Sequence, residues 1–391
     1  MQIKNKGFWS VFKAEVKTII FTPSKLLWSL GIPLFIFYLY ASIFGNGILR
    51  DLPLAVLDND KSSLSRELTR QLNANATIDL SEHINDEQTG NKLIRTGKVF
   101  GWIIIPNNFQ RDLSIGKPVN VILYLNNNHL TPAGLINKAF NQTVGSFSAT
   151  AKINVLMKTG SSVEQAKNNV QPIAIDNRTL FNPYINYSYY LCLSLFPMAL
   201  QLTVMIITLY TLGSVLKNNK GRELYELSDY NVWKAYLGKV VPYTIIFSIL
   251  VSLMTNYLFV YQGIPIKVSV AGIYLLTLLL VIVYQLIAVF FVTICKDFRS
   301  LASLGGGYSA LSFSFSGYTF PQEGMPLGIK VLDMIFPFAS YVRLLTNTAI
   351  KGMPIQNSIW YLLGLLLFAV IGLLSLPKFG LMLEKGYYEK K

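Results

Sequence analysis

Uncharged apolar runs long enough to cross a bilayer constrain this 391-residue chain more than any other feature. A hydrocarbon core takes roughly 20 apolar residues per helix. Six runs meet that need, at 26–44, 187–216, 240–261, 270–295, 301–320 and 358–376. The second is longer than one crossing requires, and the fifth is rich in Gly and Ser. A further apolar stretch, 331–345, is interrupted by Asp333, Pro337 and Arg343. It is too broken to stand alone in lipid and reads as a re-entrant or interfacial segment. The 25 residues before the first run have an amphipathic pattern of their own. A signal n-region is shorter than that, so the first run reads as a permanent span.

Composition agrees. Charged residues make up 14% of the chain, against about 25% in soluble domains, and 52% is hydrophobic. That excludes a single soluble globular enzyme, and it excludes disorder, which needs low hydrophobicity. The net charge is +14, and the placement of the cations decides what it means. The N-terminal arm holds Lys4, Lys6, Lys13, Lys17 and Lys25 against Glu15. The connection 217–239 holds Lys217, Lys220, Arg222, Lys234 and Lys239. The turn before the fifth run holds Lys296 and Arg299; the tail holds Lys378, Lys385, Lys390 and Lys391. With six spans all four segments fall on one side, which the positive-inside rule makes cytoplasmic. The opposite loop, 262–269, has only Lys267. The charge is therefore a topology signal with lipid attraction, not a nucleic-acid footprint. Cys192 and Cys295 sit in apolar runs, which argues against a disulfide framework. His83 and His129 stand isolated, so no metal site is expected.

Residues 45–186 have ordinary soluble composition and the length of one domain. Short apolar strands are expected at 54–57, 99–105 and 119–125. Helices are expected from Ser62 or Ser63 to Leu72, from a capping box at Asn85 and Gln88 to Thr96, from Asn107 or Asn108 to Gly116, and over 131–158. Alternating strands and helices point to an α/β or α+β module. Asp58, Asp60 and Ser62 read as turn-and-cap chemistry, and 176–186 as the return linker.

Catalytic machinery is absent from the sequence. No GxxxxGK[ST] phosphate loop occurs; Gly305, Gly306 and Gly307 lie in an apolar run without the lysine and suit close helix packing. The interiors of the spans carry no acid for a proton or sodium relay. Gln201, Thr203 and Gln285 are the notable polar groups there, and helix–helix contacts are their commoner use. The free energy must then come from a partner, and two cytoplasmic features can receive it. Phe8, Phe12, Val16 and Ile19 form the stripe of an in-plane amphipathic helix ended by Pro23. Glu223, Leu224, Glu226 and Leu227 form a short amphipathic helix that fits a groove on a cytosolic protein, or simply a solvated connection.

Four segments, in order and spacing, resemble one family over nearly the whole chain. They are DLPLAVLDNDKSSLSRELTRQLNAN (51–75), LIRTGKVFGWIIIPNNFQRDLSIGKPVNVILYLNNN (93–128), GRELYELSDYNVWKAYLGKVVPY (221–243) and FSGYTFPQEGMPLGIKVLDMIFPFASYVRLLTNTAIKG (315–352). The chain resembles an ABC-2 type transporter permease of the subgroup with a large periplasmic domain after the first span. The resemblance implies a non-enzymatic half-transporter without cofactor. ATP and Mg would be bound by cytosolic ABC ATPase subunits, and a second permease, identical or a paralogue, would complete the pore. Such exporters often work with a periplasmic adaptor and an outer-membrane channel. Nucleic acid is not an expected partner.

The implied fold is a membrane all-α bundle of six transmembrane helices with an inserted α/β (α+β) extracytoplasmic domain between spans 1 and 2. Its expected order is a connecting helix at 1–25, spans at 26–44, 187–216, 240–261, 270–295, 301–320 and 358–376, and the external domain at 45–186. A coupling loop at 217–239, a re-entrant segment at 321–357 and a cytoplasmic tail at 377–391 complete it. The protein would be multi-pass in the cytoplasmic (inner) membrane, with both termini cytoplasmic. The resemblance makes Phe8, Phe12, Val16, Arg222, Glu223, Glu226 and Leu227 candidates for ATPase coupling. Gln201, Thr203, Phe315, Tyr318, Phe320 and Pro321 are candidates for the pathway and its gate. Two places depart from the family pattern: Glu223 is followed by Leu224 and Tyr225, not Gly and Thr, and the turn Lys296-Asp297-Phe298-Arg299 reads as salt-linked where Gln is usual. The alternatives are an envelope transducer or biogenesis factor without a cargo path, and an ion-coupled secondary carrier.

Overall fold

The computed structural model describes residues 6–45, 47–170, 180–182, 185–295 and 297–385. Lys4, Lys296, Lys390, Lys391 and most of the linker 176–186 lie outside the described residues. The chain divides into two compact units, one formed by Met1–Gly47 with Leu180–Lys391, the other by Ile48–Thr179.

The first unit is helical. It begins with α1 (Phe8–Phe21) and α2 (Pro23–Phe44), which are separated by Thr22 in an extended conformation. Pro33 cannot donate to the carbonyl one turn back, and the helix widens into a π turn at Leu27–Gly31 directly before it.

The second unit carries a four-stranded sheet of β1 (Leu52–Asp58), β2 (Ile78–His83), β3 (Gly101–Ile105) and β4 (Ile122–Leu125), in the order β2-β1-β3-β4. β1 runs parallel to β2 and β3, and β4 is antiparallel to β3. Its helices are α3 (Ser63–Asn73), α4 (Glu87–Arg95), α5 (Phe109–Ser114), α6 (Leu130–Lys158) and α7 (Val163–Val170). Strand alternation fills two cores. Leu54, Val56, Ile103 and Ile105 pack with Leu68 and Leu72 of α3 and Ile136 and Phe140 of α6. Ala55, Leu57, Trp102 and Ile104 face the other way, toward Leu93 and Ile94 of α4. The strand β2 is absent from the sequence reading, because Ile78 and Leu80 give it only two apolar side chains on one buried face. The cap of α4 is Asp86, which accepts from the Thr89 N–H at 2.7 Å, so the helix starts one residue later than a cap at Asn85 implies.

The first unit resumes with α8 (Tyr187–Lys217), α9 (Gly221–Leu227), α10 (Val232–Tyr261), α11 (Val270–Ile294), α12 (Phe298–Phe315), α13 (Leu327–Asp333), α14 (Pro337–Leu345) and α15 (Ile355–Lys385). Among the described residues five helices are long and apolar enough to cross a membrane: α2, α8, α10, α11 and α15. The central pair, α8 and α11, has 67% of its most apolar window buried, whereas α2 has 6% and α15 has 22%. Close contacts set this order. Phe37 of α2 lies 4.9 Å from Phe196 of α8, ring to ring. A Cβ on Gly372 of α15 would stand 2.5 Å from the backbone of Leu286, so α11 and α15 meet at a position only glycine fits.

The fifth apolar run forms α12, an 18-residue helix whose glycines and serines keep its hydropathy below that of the other five. Asp297 is its N-cap, accepting from the Ser300 N–H at 2.8 Å and the Ser300 hydroxyl at 2.7 Å. Two helices outrun their apolar runs: α10 begins at Val232, and α15 continues past Leu376 to Lys385. The extension of α15 is helical because Phe379, Met382 and Leu383 bury there. The broken stretch after α12 is the pair α13 and α14, separated at Pro337, and its two charges are paired with each other.

Candidate functional site

The basic ends of the helices form one knot. The N–H of Gly7 donates to the carbonyl of Leu227 at 2.8 Å, which ties the start of α1 to the end of α9. Gly7 has φ +125°, a conformation that favours glycine. A Cβ on Gly238 would stand 2.6 Å from Val11, so α10 presses directly on α1. A Cβ on Gly221 would stand 2.8 Å from the carbonyl oxygen of Leu383, so α9 starts against the backbone of α15. Four helices therefore meet with little room for relative sliding.

An ionic cluster sits inside this knot. Glu15 is 2% exposed. It accepts from Lys25 at 2.8 Å, from the Tyr243 hydroxyl at 2.8 Å, and from Lys239. Burial alone would raise the Glu15 carboxyl; the charges and hydrogen bonds of Lys239 and Lys25 outweigh it and hold the group below its ordinary value. The fully buried line of α1 is Val11, Glu15 and Ile19. Phe8, Phe12 and Val16 flank it half-buried, so the helix is turned by about one position from the stripe read in the sequence. In the sequence Glu15 reads only as one acid in a basic arm. The signal that could have singled it out is its spacing, four residues after Val11 and four before Ile19, on an apolar face where a carboxylate needs a partner.

The outer side of the knot is charged. On α9, Leu224 and Gly221 bury, while Arg222 and Glu223 point to solvent. Arg222 Nε donates to Glu226 Oε1 at 3.1 Å. Leu227 is half-buried and packs on the helical core. The helix is framed by positive-φ residues, Asn219 before it and Asp229 and Tyr230 after it, and Asn231 then caps α10 through the N–H groups of Trp233 and Lys234. The structure thus brings Leu227 to the start of α1, through Gly7, and presents Arg222, Glu223 and Glu226 on one surface. Phe8, Trp9 and Phe12 add an aromatic cluster with ring separations of 5.1 to 5.8 Å.

The candidates for a pathway scatter. Gln201 is buried in α8, and its Nε2 donates to the Ser312 hydroxyl at 2.6 Å and the Ser309 carbonyl at 3.1 Å of α12. Thr203 donates to Ala199 of its own helix at 2.9 Å. Gln285 Oε1 accepts from Thr244 at 3.0 Å. Phe315 stacks on Phe336 at 5.8 Å, and Phe320 is exposed. Tyr318 and Pro321 line a cavity of about 450 Å³ at the start of α8 and the end of α10. Tyr318 stacks on Tyr190 at 5.1 Å, and the Tyr190 hydroxyl donates to the Tyr318 carbonyl at 2.9 Å. Arg343 lines the same cavity and donates to the buried Asp333, beside Gln322 at 3.3 Å. The second Asp333 oxygen has no hydrogen-bond partner among the described residues. Burial raises the Asp333 carboxyl above its ordinary value despite Arg343.

Comparison with known proteins adds three findings. A family model described as ABC-2 family transporter protein matches residues 24–376. The probable multidrug ABC transporter permease YbhR of Escherichia coli strain K12 is 22% identical over 365 residues, covering 91% of this chain and 94% of its own. The protein of the same description from Escherichia coli O157:H7 matches to the same extent.

Proposed function

The chain belongs to the ABC-2 family of transporter proteins and is the transmembrane subunit of an ATP-binding-cassette exporter; from that premise we propose how it is driven. The observation that carries the proposal is the knot, in which a small charged helix, α9, is fastened directly to α1 and α15 and, through α1, to α10. A cytosolic ATPase docks on the outer face of α9 through Arg222, Glu223 and Glu226. Phe8, Phe12, Val16 and Leu227 hold the contact to α1. ATP and Mg are held by that partner, and this chain does no bond-breaking chemistry. When the ATPase subunits close, the displacement of α9 passes to α15 through a backbone contact and to α10 through α1, where Val11 packs on Gly238 with no room to compress.

In this reading α12 is a sixth crossing, built for a neighbour by its small residues. The basic end of every span is cytoplasmic, in the inner membrane, and Ile48–Thr179 lies outside. A second permease, identical or a paralogue, completes the pathway between the subunits. A periplasmic adaptor and an outer-membrane channel extend it. The cargo is an amphiphile entering from the bilayer, since the spans offer few polar contacts, and this agrees with the multidrug description of the relative. The segment α13–α14 covers the outer end of the path, with Tyr318 and Pro321 at its edge. Glu223→Ala with Glu226→Ala should abolish co-purification of the ATPase and its stimulated turnover. Full assembly and export in that variant would overturn the coupling.

A further inference from the structure

The ionic cluster in the knot does not balance. Glu15 carries one negative charge, and Lys25 and Lys239, 15% and 14% exposed, carry two positive ones. An excess charge held largely out of water is relieved in one of two ways: a lysine gives up its proton, or an anion comes to it. Two cavities beside the cluster favour the anion. One, of about 340 Å³, is lined by Glu15, Lys25, Lys239, Lys220 and Glu223, so three cations meet two carboxylates and the excess persists at its wall. The other, of about 280 Å³, is lined by Trp28, Ile206, Ile207, Tyr210 and Thr211, with Lys25 and Tyr243. Lys25 and Tyr210 line both.

A polar cavity with excess positive charge thus adjoins an apolar slot. Lys25 stands in the first turns of α2, and Trp28 lies one turn further into the same apolar helix. The charged chamber therefore sits at headgroup depth and the slot runs toward the acyl region. Few solutes match that order. An anion without a chain leaves the slot empty, and a neutral chain leaves the charge.

We propose that this double cavity holds one anionic phospholipid of the facing leaflet, its phosphate beside Lys25, Lys239 and Lys220 and one acyl chain between Trp28 of α2 and Ile206 and Ile207 of α8. The lipid is a resident part of the knot, not cargo. Its phosphate completes the charge balance that fastens α1 to α10, and its chain fills the gap between α2 and α8. The proposal rests on the reading above only in that α2 crosses the bilayer with its Lys25 end in the cytoplasmic interface.

The test uses the full chain reconstituted in phosphatidylcholine vesicles, with tryptophan fluorescence as the readout and no ATPase or cargo present. Acyl-brominated phosphatidylglycerol and acyl-brominated phosphatidylcholine are compared as quenchers at equal mole fraction. Wild type should be quenched preferentially by the anionic lipid, and Trp28→Phe should remove that preference. Lys25→Gln leaves Glu15 and Lys239 as a one-to-one pair, so it should fold while its preference for the anionic lipid drops about fivefold, the effect of one basic charge at an anionic surface. Equal quenching by the two lipids in wild type overturns the proposal and leaves proton loss as the relief of the excess. A preference that survives Trp28→Phe overturns it in favour of diffuse attraction felt at Trp9 and Trp233. A preference unchanged in Lys25→Gln overturns the headgroup assignment. None of these outcomes depends on export, so this proposal and the export reading fail separately.

Discussion

Two buried carboxylates mark the two ends of the helical unit, and their surroundings differ. Glu15 has two lysines and a tyrosine hydroxyl on its oxygens. Asp333 has one arginine and one amide, both on the same oxygen, and its other oxygen has no partner among the described residues. They sit at opposite ends of α8, with Tyr190 lining the cavity at one end and Tyr210 at the other, about 30 Å apart along the helix axis. Over-supplied with cations, Glu15 is held ionised and fixes three helices, α1, α2 and α10, together. Asp333 is under-supplied, and burial pushes its carboxyl toward the neutral form. Glu15 marks the fastened end of the unit and Asp333 the looser one. A saturated carboxylate behaves as a rivet; a half-satisfied one is a contact that water or a ligand can replace at small cost.

The largest effect is expected at Glu15. Glu15→Gln leaves two lysines in low exposure without a counter-charge, a change worth about 3–5 kcal/mol. Thermal unfolding of the purified protein in detergent should fall by many degrees; an unchanged midpoint would mean that the lysines escape to water and the rivet is not one. Asp333→Asn should cost less, about 1–2 kcal/mol, because Arg343 is 20% exposed and keeps its contact with the Tyr361 ring. Replacing both partners, Asp333→Leu with Arg343→Met, should recover most of that loss, which a double-mutant cycle would read.

The pH dependence separates the two carboxylates further, because their shifts have opposite signs. Glu15 is depressed, so its contribution is fully present above the ordinary value near 4.5 and is lost as pH falls through its lower folded value. Asp333 is raised, so the folded state is favoured below the ordinary value near 3.8 and that advantage is lost as pH rises through its higher folded value. The acid limb of unfolding should therefore flatten in Glu15→Gln. In Asp333→Asn the loss on raising pH past 3.8 should disappear. The smallest effect on stability is expected on α9. Arg222→Ala breaks an exposed pair of the kind worth about 0.3–0.5 kcal/mol, so unfolding should barely move while ATPase stimulation drops. Loss of fold in that variant would show that the surface is structural.

Much of this arrangement is legible in the amino-acid order. Long apolar runs announce the helices α2, α8, α10, α11 and α15, because lipid demands length and hydropathy together. β1 and β3 are legible because both of their faces are buried. The edge strand β2 is not, since one polar face leaves Ile78 and Leu80 too sparse to register. Helix ends are read poorly wherever apolar composition stops before packing does. Thus α15 runs to Lys385 because Phe379, Met382 and Leu383 bury, with Leu383 against Gly221 of α9 and Gly380 against Val232 of α10, which no local pattern reports. The charged face of α9 is visible as a short amphipathic repeat. Glu15 is not, because its meaning comes from Lys239, which is 224 positions away. The same holds for Asp333 and Arg343: their pairing turns two apparent interruptions of an apolar stretch into the reason it can be buried.

One further consequence comes from the glycine contacts of α15. Gly221 sits on the backbone of Leu383, and Gly372 sits on the backbone of Leu286. Between residues 372 and 383 the helix covers about 16 Å with both ends held by main chain, where there is no rotamer to yield. Pro377 falls inside that segment and cannot donate to the carbonyl one turn back, so bending between the two joints is concentrated there. Any side chain larger than hydrogen at either joint acts as a shim that resets how α15 seats on α9 and α11.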